Sequence, residues 1–220
     1  MSAIEPAAPN AALKFHSFKR RTFDAITLRL PARRVALTRT SGILPDEMSD
    51  DWKSEFHNVW ERGIAAWKAG RTSAKTMFDP KDAAFLATIG CTAQELFDFV
   101  DDFLGYGDFD FETVCGVTAI RREYFLNVMH GKMTGHEVPM SELPAKAAAA
   151  DGIAWLPRLI AKARVKLRGE MNPDLMYGCA GDRPFLREHR MTLPQFLQLV
   201  RDNGDDRAII ATVKKSAAHG

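Results

Sequence analysis

Residues 82–102 and 182–202 carry the same helix signals at an offset of 100 residues, with no gap. Asp82-x-x-Phe85-Leu86, Thr92, Val100 and Asp102 recur as Asp182-x-x-Phe185-Leu186, Thr192, Val200 and Asp202. In each copy a capping box, Thr92-x-x-Glu95 or Thr192-x-x-Gln195, stands directly before an apolar run. The threonine hydroxyl of such a box accepts a free N–H of the first helical turn. The glutamate or glutamine reaches back to the threonine N–H, so the helix start is fixed from both sides. The pattern predicts a mainly α protein, a tandem pseudo-repeat of helix–loop–helix–helix units. Neither copy holds enough apolar surface for its own core, so the two are expected to pack as one body. The repeat also sorts residues. Shared positions serve the fold, and positions that differ are candidates for function.

Periodicity extends this outline. Trp52, Phe56, Val59, Trp60, Ile64 and Trp67 recur at helical spacing, a broad apolar stripe that reads as core, with Gly70 as its stop. Asp82 is expected to cap a short helix through Phe85 and Leu86, and Thr92 a second that buries Leu96, Phe97, Val100 and Phe103 before Gly105 and Gly107 break it. A further helix runs from about Phe111 to Met129, with Val114, Val117, Arg121, Phe125 and Val128 at helical spacing. In the second copy Pro157 suits a first helical turn, Leu159, Ile160, Ala163 and Leu167 form an apolar face, and Gly169 ends it. Asp182 and Thr192 cap two more helices, and residues 206–215 form a last one. Four regions follow: an N-terminal extension 1–48 with a short β-hairpin within 23–40, a first helical repeat 49–130, a connector 131–150, and a second helical repeat 151–220.

Composition narrows the class. Hydrophobic content of 46% and charged content of 26% fit a soluble globular protein. No basic region followed by an apolar stretch opens the chain, and nothing approaches the roughly 18 apolar residues of a spanning helix. Cys91, Cys115 and Cys179 are odd in number and scattered, which reads as reduced thiols in a cytoplasm rather than a disulfide framework. The charge is uneven. Residues 1–40 hold eight Lys/Arg against two acids, residues 79–115 nine acids against one Lys, and residues 151–220 twelve Lys/Arg against eight acids. Aromatic interleaving on the basic segments is sparse and no nucleic-acid motif is present, so neither nucleic acid nor membrane is an expected partner. Acidic and basic surfaces are expected to face each other within the chain or between copies, the latter as a homodimer.

The chemistry concentrates in the second copy. Arg158, Lys162 and Lys166 lie at i, i+4 and i+8 on one helix stripe, with Arg164 and Arg168 on the opposite flank. Such a stripe is most simply a solvated face; the functional reading is an anion-binding wall. The loop Met176-Tyr177-Gly178-Cys179-Ala180-Gly181 leads into a helix at Asp182 and Arg183. The repeat accounts for Asp182 but not for Tyr177, Cys179 and Arg183, whose partners at the 100-residue offset are Met77, Asp79 and Ala83. Tyr177 beside a cation suits proton transfer, or else its hydroxyl ties the loop down. Cys179 as a nucleophile would need a base, and the nearest histidine in sequence is His189; a small buried thiol is the simpler reading. No HExxH, Cys/His quartet, GxGxxG after a strand or GxxxxGK[ST] occurs, so neither a metal nor a cofactor is expected.

The run Leu156-Pro157-Arg158-Leu159-Ile160-Ala161-Lys162-Ala163-Arg164-Val165-Lys166-Leu167-Arg168-Gly169-Glu170, then Met176-Tyr177-Gly178-Cys179 and Asp182-Arg183-Pro184-Phe185-Leu186, resembles an uncharacterised bacterial family, a domain of unknown function. Its pattern is roughly LPR-x-I-x-KAR-x-KL-x-GE, then YGC, then D-x-x-F. Upstream, Arg121-Arg122-Glu123-Tyr124-Phe125-Leu126 and Gly131-Lys132 resemble longer members, so the similarity covers about residues 78–214. The resemblance implies a cytoplasmic, mainly helical bacterial protein in which Arg158, Lys162, Arg164, Tyr177 and Cys179 belong to the family pattern. It brings no activity with it.

These readings define an expectation. The chain is a metal-independent small-molecule enzyme, a lyase or isomerase working by proton transfer on an anionic carboxylate- or phosphate-bearing metabolite. Arg158, Lys162 and Arg183 hold the anion, while Tyr177 moves the proton and Cys179 lines the site or assists. The alternative is a non-enzymatic ligand-binding or protein-interaction module. A third reading makes Arg158, Arg164 and Asp182 internal ion pairs that order the helices.

Overall fold

The computed structural model describes residues 51–218; the hairpin expected within residues 23–40 lies outside them. Among the described residues the fold is mainly helical. The first half comprises α1 (Asp51–Lys68), α2 (Ala74–Met77), α3 (Pro80–Thr88), α4 (Ala93–Tyr106) and α5 (Phe111–Asn127). After a 3₁₀ turn at Met140–Glu142 come strands β1 (Ala149–Ala150) and β2 (Ile153–Ala154). The second half comprises α6 (Leu156–Arg168), α7 (Asp182–Glu188), α8 (Leu193–Asp202) and α9 (Asp206–Ala218). No single helix among the described residues is long and apolar enough to cross a membrane.

Both capping boxes form as their sequences dictate. Thr92 Oγ1 accepts from Glu95 N at 3.1 Å while Glu95 Oε2 accepts from Thr92 N at 2.9 Å. Thr192 and Gln195 make the same two bonds at 3.3 and 2.9 Å. The turns ahead of the two boxes also match. Gly90 and Arg190 both take positive φ, +71° and +53°, and the next residue donates back to a leucine carbonyl, Cys91 to Leu86 at 3.0 Å and Met191 to Leu186 at 2.9 Å.

Asp82 and Asp182 are not the caps that their positions suggest. Asp79 caps α3, its Oδ1 accepting from Lys81 N and Asp82 N at 2.8 Å each. Gly181 precedes α7 and offers no side chain for the purpose. Both aspartates instead lie within a first turn, buried, where each meets a cation from a preceding long helix. Arg62 of α1 donates to Asp82 through Nε (3.0 Å) and Nη2 (2.6 Å), and Lys162 of α6 donates to Asp182 Oδ2. A carboxylate turned inward is satisfied by a charge across the helix interface and is no longer available to its own helix end.

Helix α6 occupies the middle of the packing, against α5, α8 and β1, while α1 and α2 rest on α4 and α5 rests on α8. A single apolar core runs from Trp52 and Phe56 through Leu96, Leu159 and Phe196 to Val213, so the two halves share one interior. A smaller cluster of Val138, Leu143, Val165 and Leu175 seats the segment after α5 on the flank of α6. The boundary expected between residues 150 and 151 falls inside a hairpin, with Ala149 opposite Ala154 and Ala150 opposite Ile153. Its turn residues Asp151 and Gly152 have φ of +50° and +81°, the conformation of a tight turn whose twist matches the strands.

Candidate functional site

The α6 stripe expected to be a solvated face or an anion-binding wall is buried, because α6 is wrapped by the elements around it. Each of its three cations has an internal partner. Arg158 Nη1 donates to Pro144 O at 2.7 Å. Lys162 is fully buried, and its Nζ donates to Asp182 Oδ2 and, at 3.1 Å, to Cys179 Sγ. Lys166 Nζ donates to Glu95 Oε1 at 2.8 Å. On the other flank Arg164 reaches Asp206, and Arg168 Nε donates to Glu170 at 2.6 Å.

The glycine loop closes over this stripe. Asp182 is its organising group, accepting from Lys162, from Gly178 N at 2.9 Å and from Trp155 Nε1 at 2.9 Å. Trp155 lies in the left-handed region at φ +70°, and its indole packs so closely on Gly181 that a Cβ there would overlap the ring. The Tyr177 hydroxyl is buried and donates to Leu193 O at 2.9 Å, tying the loop to the start of α8. Burial, helped by the nearby Asp182 charge, pushes this phenol well above its ordinary value, so it keeps its proton. Arg183 pairs with Asp102 and Asp108 at 2.7 Å each, donates to Gly178 O at 3.3 Å and lies over the Phe109 ring. The ring of His189 stacks on Phe185, with Nδ1 2.8 Å from Phe185 O. Of the five residues expected to form the site, Lys162 and Cys179 are in contact and Arg183 reaches the same loop through Gly178. Tyr177 turns toward α8, and Arg158 serves the segment before β1.

A cleft opens at the C-terminal end of α6, among residues the sequence presents as structural. It has a volume of about 190 Å³ and lies between the start of α4 (Thr92, Gln94, Glu95, Asp98) and the stretch Gly169, Met171, Asn172, Pro173 and Leu175. A smaller void shares Glu95, Asp98, Met171 and Leu175 with it and is bounded by Lys166, Met176 and Tyr177. Glu95 and Asp98 stand three residues apart on α4 and so share a face. Burial pushes the Glu95 carboxyl up, but the Lys166 ammonium, its hydrogen bond and the Thr92 N–H outweigh it, and the net shift is downward. Asp98 moves the other way. Burial is the largest cause, the Glu95 and Asp102 charges add to it, and the Gln94 hydrogen bond and Lys166 only partly offset them, leaving the carboxyl at about 6.

Arg121 of α5 sits behind this cleft. It is buried, with its guanidinium over the Phe125 ring and Nη2 donating to Met133 Sδ at 3.3 Å. Its Nε and Nη1 have no hydrogen-bond partner among the described residues. Gly169, which lines the cleft at φ +67°, leaves the room it needs, since a Cβ there would overlap Nη2. Burial lowers the pKa of this guanidinium, and the Glu95 charge pulls it back up. A charged residue inside an otherwise apolar helical stripe was the sequence signal for this group. Glu95 carried no such signal, because the capping box alone accounts for it. Among the described residues no group of three or more His, Cys, Asp or Glu side chains gathers as a metal ion would require.

The fold and its polar clusters thus define a mainly helical domain built around a charged central helix. Residues 142–219, from the 3₁₀ turn through α9, match a family model described as a domain of unknown function, DUF5069. The match covers the α6 run and the glycine loop, while the upstream similarity read from about residue 78 lies outside it. No curated protein and no solved structure matches the chain.

Proposed function

We propose that this chain is a small-molecule enzyme of the lyase or isomerase type, working by proton transfer in the cleft between α4 and residues 169–176. The observation that carries this reading is the opposed pair Glu95 and Asp98. Two carboxyl groups on one helix face, pushed in opposite directions by their surroundings, are suited to different roles. Glu95 is locked as an anion by Lys166. Asp98, at about 6, exchanges its proton near neutral pH and is the general acid or base. The substrate is an anionic carboxylate- or phosphate-bearing metabolite. Lys166 contributes positive charge at the inner end, and Arg121 adds more behind Gly169 through two donors with no described partner. Tyr177 bounds the smaller void that adjoins the cleft. The same reading places the protein in a bacterial cytoplasm and takes the LPR-to-GE and YGC pattern as that of its family.

The test is carbon–hydrogen exchange. Small hydroxy acids, oxo acids and sugar phosphates are incubated with the protein in D₂O and followed by ¹H NMR. The expected result is exchange at one carbon of one compound, reduced at least about a hundredfold in Asp98→Asn that still melts cooperatively. No exchange, and no thermal stabilisation by any of these compounds, counts against the reading.

A second reading rests on a different observation. A shallow depression lined by Asp98, Asp101, Asp102, Pro173, Asp174 and Met176 is acidic and borders the same cleft. As a non-enzymatic binding or interaction module, the chain would use this face for a basic ligand or partner, a second copy included. Self-association that weakens steeply with salt in sedimentation equilibrium would favour it.

A further inference from the structure

We propose that Lys162 and Cys179 are an oxidation-responsive pair that closes into a covalent lysine–cysteine crosslink. Lys162 Nζ lies 3.1 Å from Cys179 Sγ, a separation at which reacting atoms are already in near-attack position. The lysine cannot move away. It is fully buried and its ammonium is held on Asp182 Oδ2, while Asp182 is itself fixed by Trp155 Nε1 and Gly178 N. Cys179 is only partly buried, whereas Lys162 is fully enclosed.

The other two thiols lack this arrangement. Cys91 is buried against Thr92 O, and burial beside Glu95 pushes its thiol up to about 12. Cys115 is half-buried and shifted upward by burial. Reactivity therefore concentrates at the one sulfur that accepts a hydrogen bond from an ammonium.

The co-reactant is hydrogen peroxide. In the first step the sulfur attacks one peroxide oxygen; an S–O bond forms, the O–O bond breaks, and water leaves. Cys179 is oxidised by two electrons to the sulfenic acid and the peroxide is reduced. In the second step the Lys162 ammonium gives a proton to the Asp182 carboxylate on which it rests. The free amine attacks the sulfur, the N–S bond forms, the S–OH bond breaks, and the departing hydroxide leaves as water with the second amine proton. The product has lost two hydrogens in total. The crosslink bridges α6 and the glycine loop across 17 residues and withdraws the lysine charge from Asp182. It does not depend on the chemistry proposed for the cleft.

The experiment treats the purified full-length protein with hydrogen peroxide, followed by intact mass measurement and peptide mapping without reductant. The expected product joins Lys162 to Cys179 and is about 2 Da lighter than the reduced pair, and dithiothreitol reverses it. Lys162→Arg, which keeps the charge but not the amine, should abolish the linked peptide and leave a sulfenic acid at Cys179 that dimedone traps; Cys179→Ser should abolish both. Oxidation of wild-type Cys179 straight to sulfinic or sulfonic acid with no linked peptide would overturn the proposal. So would faster oxidation of Cys91 or Cys115. Both readings come from the wild-type protein and do not depend on whether a variant folds.

Discussion

Lys166 and Glu95 form an ion pair at 2.8 Å with both side chains buried, joining α6 to α4 across 71 residues of sequence. The same glutamate caps α4 through its other oxygen, so one side chain sets both a helix start and the position of the central helix. Lys166→Met leaves the Glu95 charge buried and unanswered, and should cost about 3–5 kcal/mol in urea unfolding. The double change Lys166→Met, Glu95→Gln keeps an acceptor for Thr92 N without the orphaned charge. It should recover most of that loss. Equal costs for the single and double variants would show that the orphaned Glu95 charge is not what destabilises Lys166→Met.

The two inward aspartates should respond unequally. Lys162 and Asp182 have side chains 1% and 0% exposed, whereas Arg62 is 44% exposed above Asp82. Asp182→Asn therefore strands a buried ammonium and should destabilise by roughly 3 kcal/mol or more. Asp82→Asn, with Arg62 free to turn to water, should cost about 1 kcal/mol or less. Thermal melts of the two variants at pH 7 give the comparison directly.

Asp98 should leave a signature in the pH dependence of stability. Its folded-state pKa is raised from 3.8 to about 6, so between these values the folded protein binds more protons than the unfolded chain. Stability from this group is then largest at the acid end and declines as pH rises through 6. After allowance for solvent screening the effect is on the order of 1–2 kcal/mol. Asp98→Asn should remove that slope between pH 4 and 7, and a variant that keeps it would show that another group titrates there.

The capping boxes offer a matched pair of measurements. Thr192→Ala removes a cap at an exposed helix start and should cost about 1 kcal/mol. Thr92→Ala should cost at least as much, since the partner in its box, Glu95, is also committed to Lys166. Chemical denaturation of each single variant tests the order.

What could be read in advance was local. The capping boxes, the Pro157 start, the Gly169 stop and the apolar faces of α1 and α6 follow from signals confined to a few turns, and they appear where expected; α4 buries Phe99 more deeply than the expected Phe97 and Phe103, and Val128, expected on the face of α5, is exposed beyond its end. Contacts between distant segments carry no such mark. Asp82 and Asp182 read as caps because a carboxylate at a helix start usually is one, and nothing nearby in sequence announces Arg62 or Lys162. The hairpin at 149–154 escaped because its strands are two residues long and show no alternation, although Asp151-Gly152 is the dipeptide that such a turn favours. Helix α2, four residues long, is too short to show a period. The basic stripe on α6 was visible, but whether it faced water depended on how the remaining helices wrapped around it. Asp98 is one acid among nine in residues 79–115, and only burial beside Glu95 sets it apart.

The segment that matches DUF5069 begins at residue 142, whereas the acid that answers Lys166 is residue 95 and the helix beneath both α6 and α8 ends at residue 127. Excised alone, that segment would carry an ammonium with no counter-ion and an apolar wall with nothing against it. It is a recognisable stretch of sequence without being a portable object. Cut from this chain, the stretch would have to borrow the missing wall from another chain or give up the lysine charge.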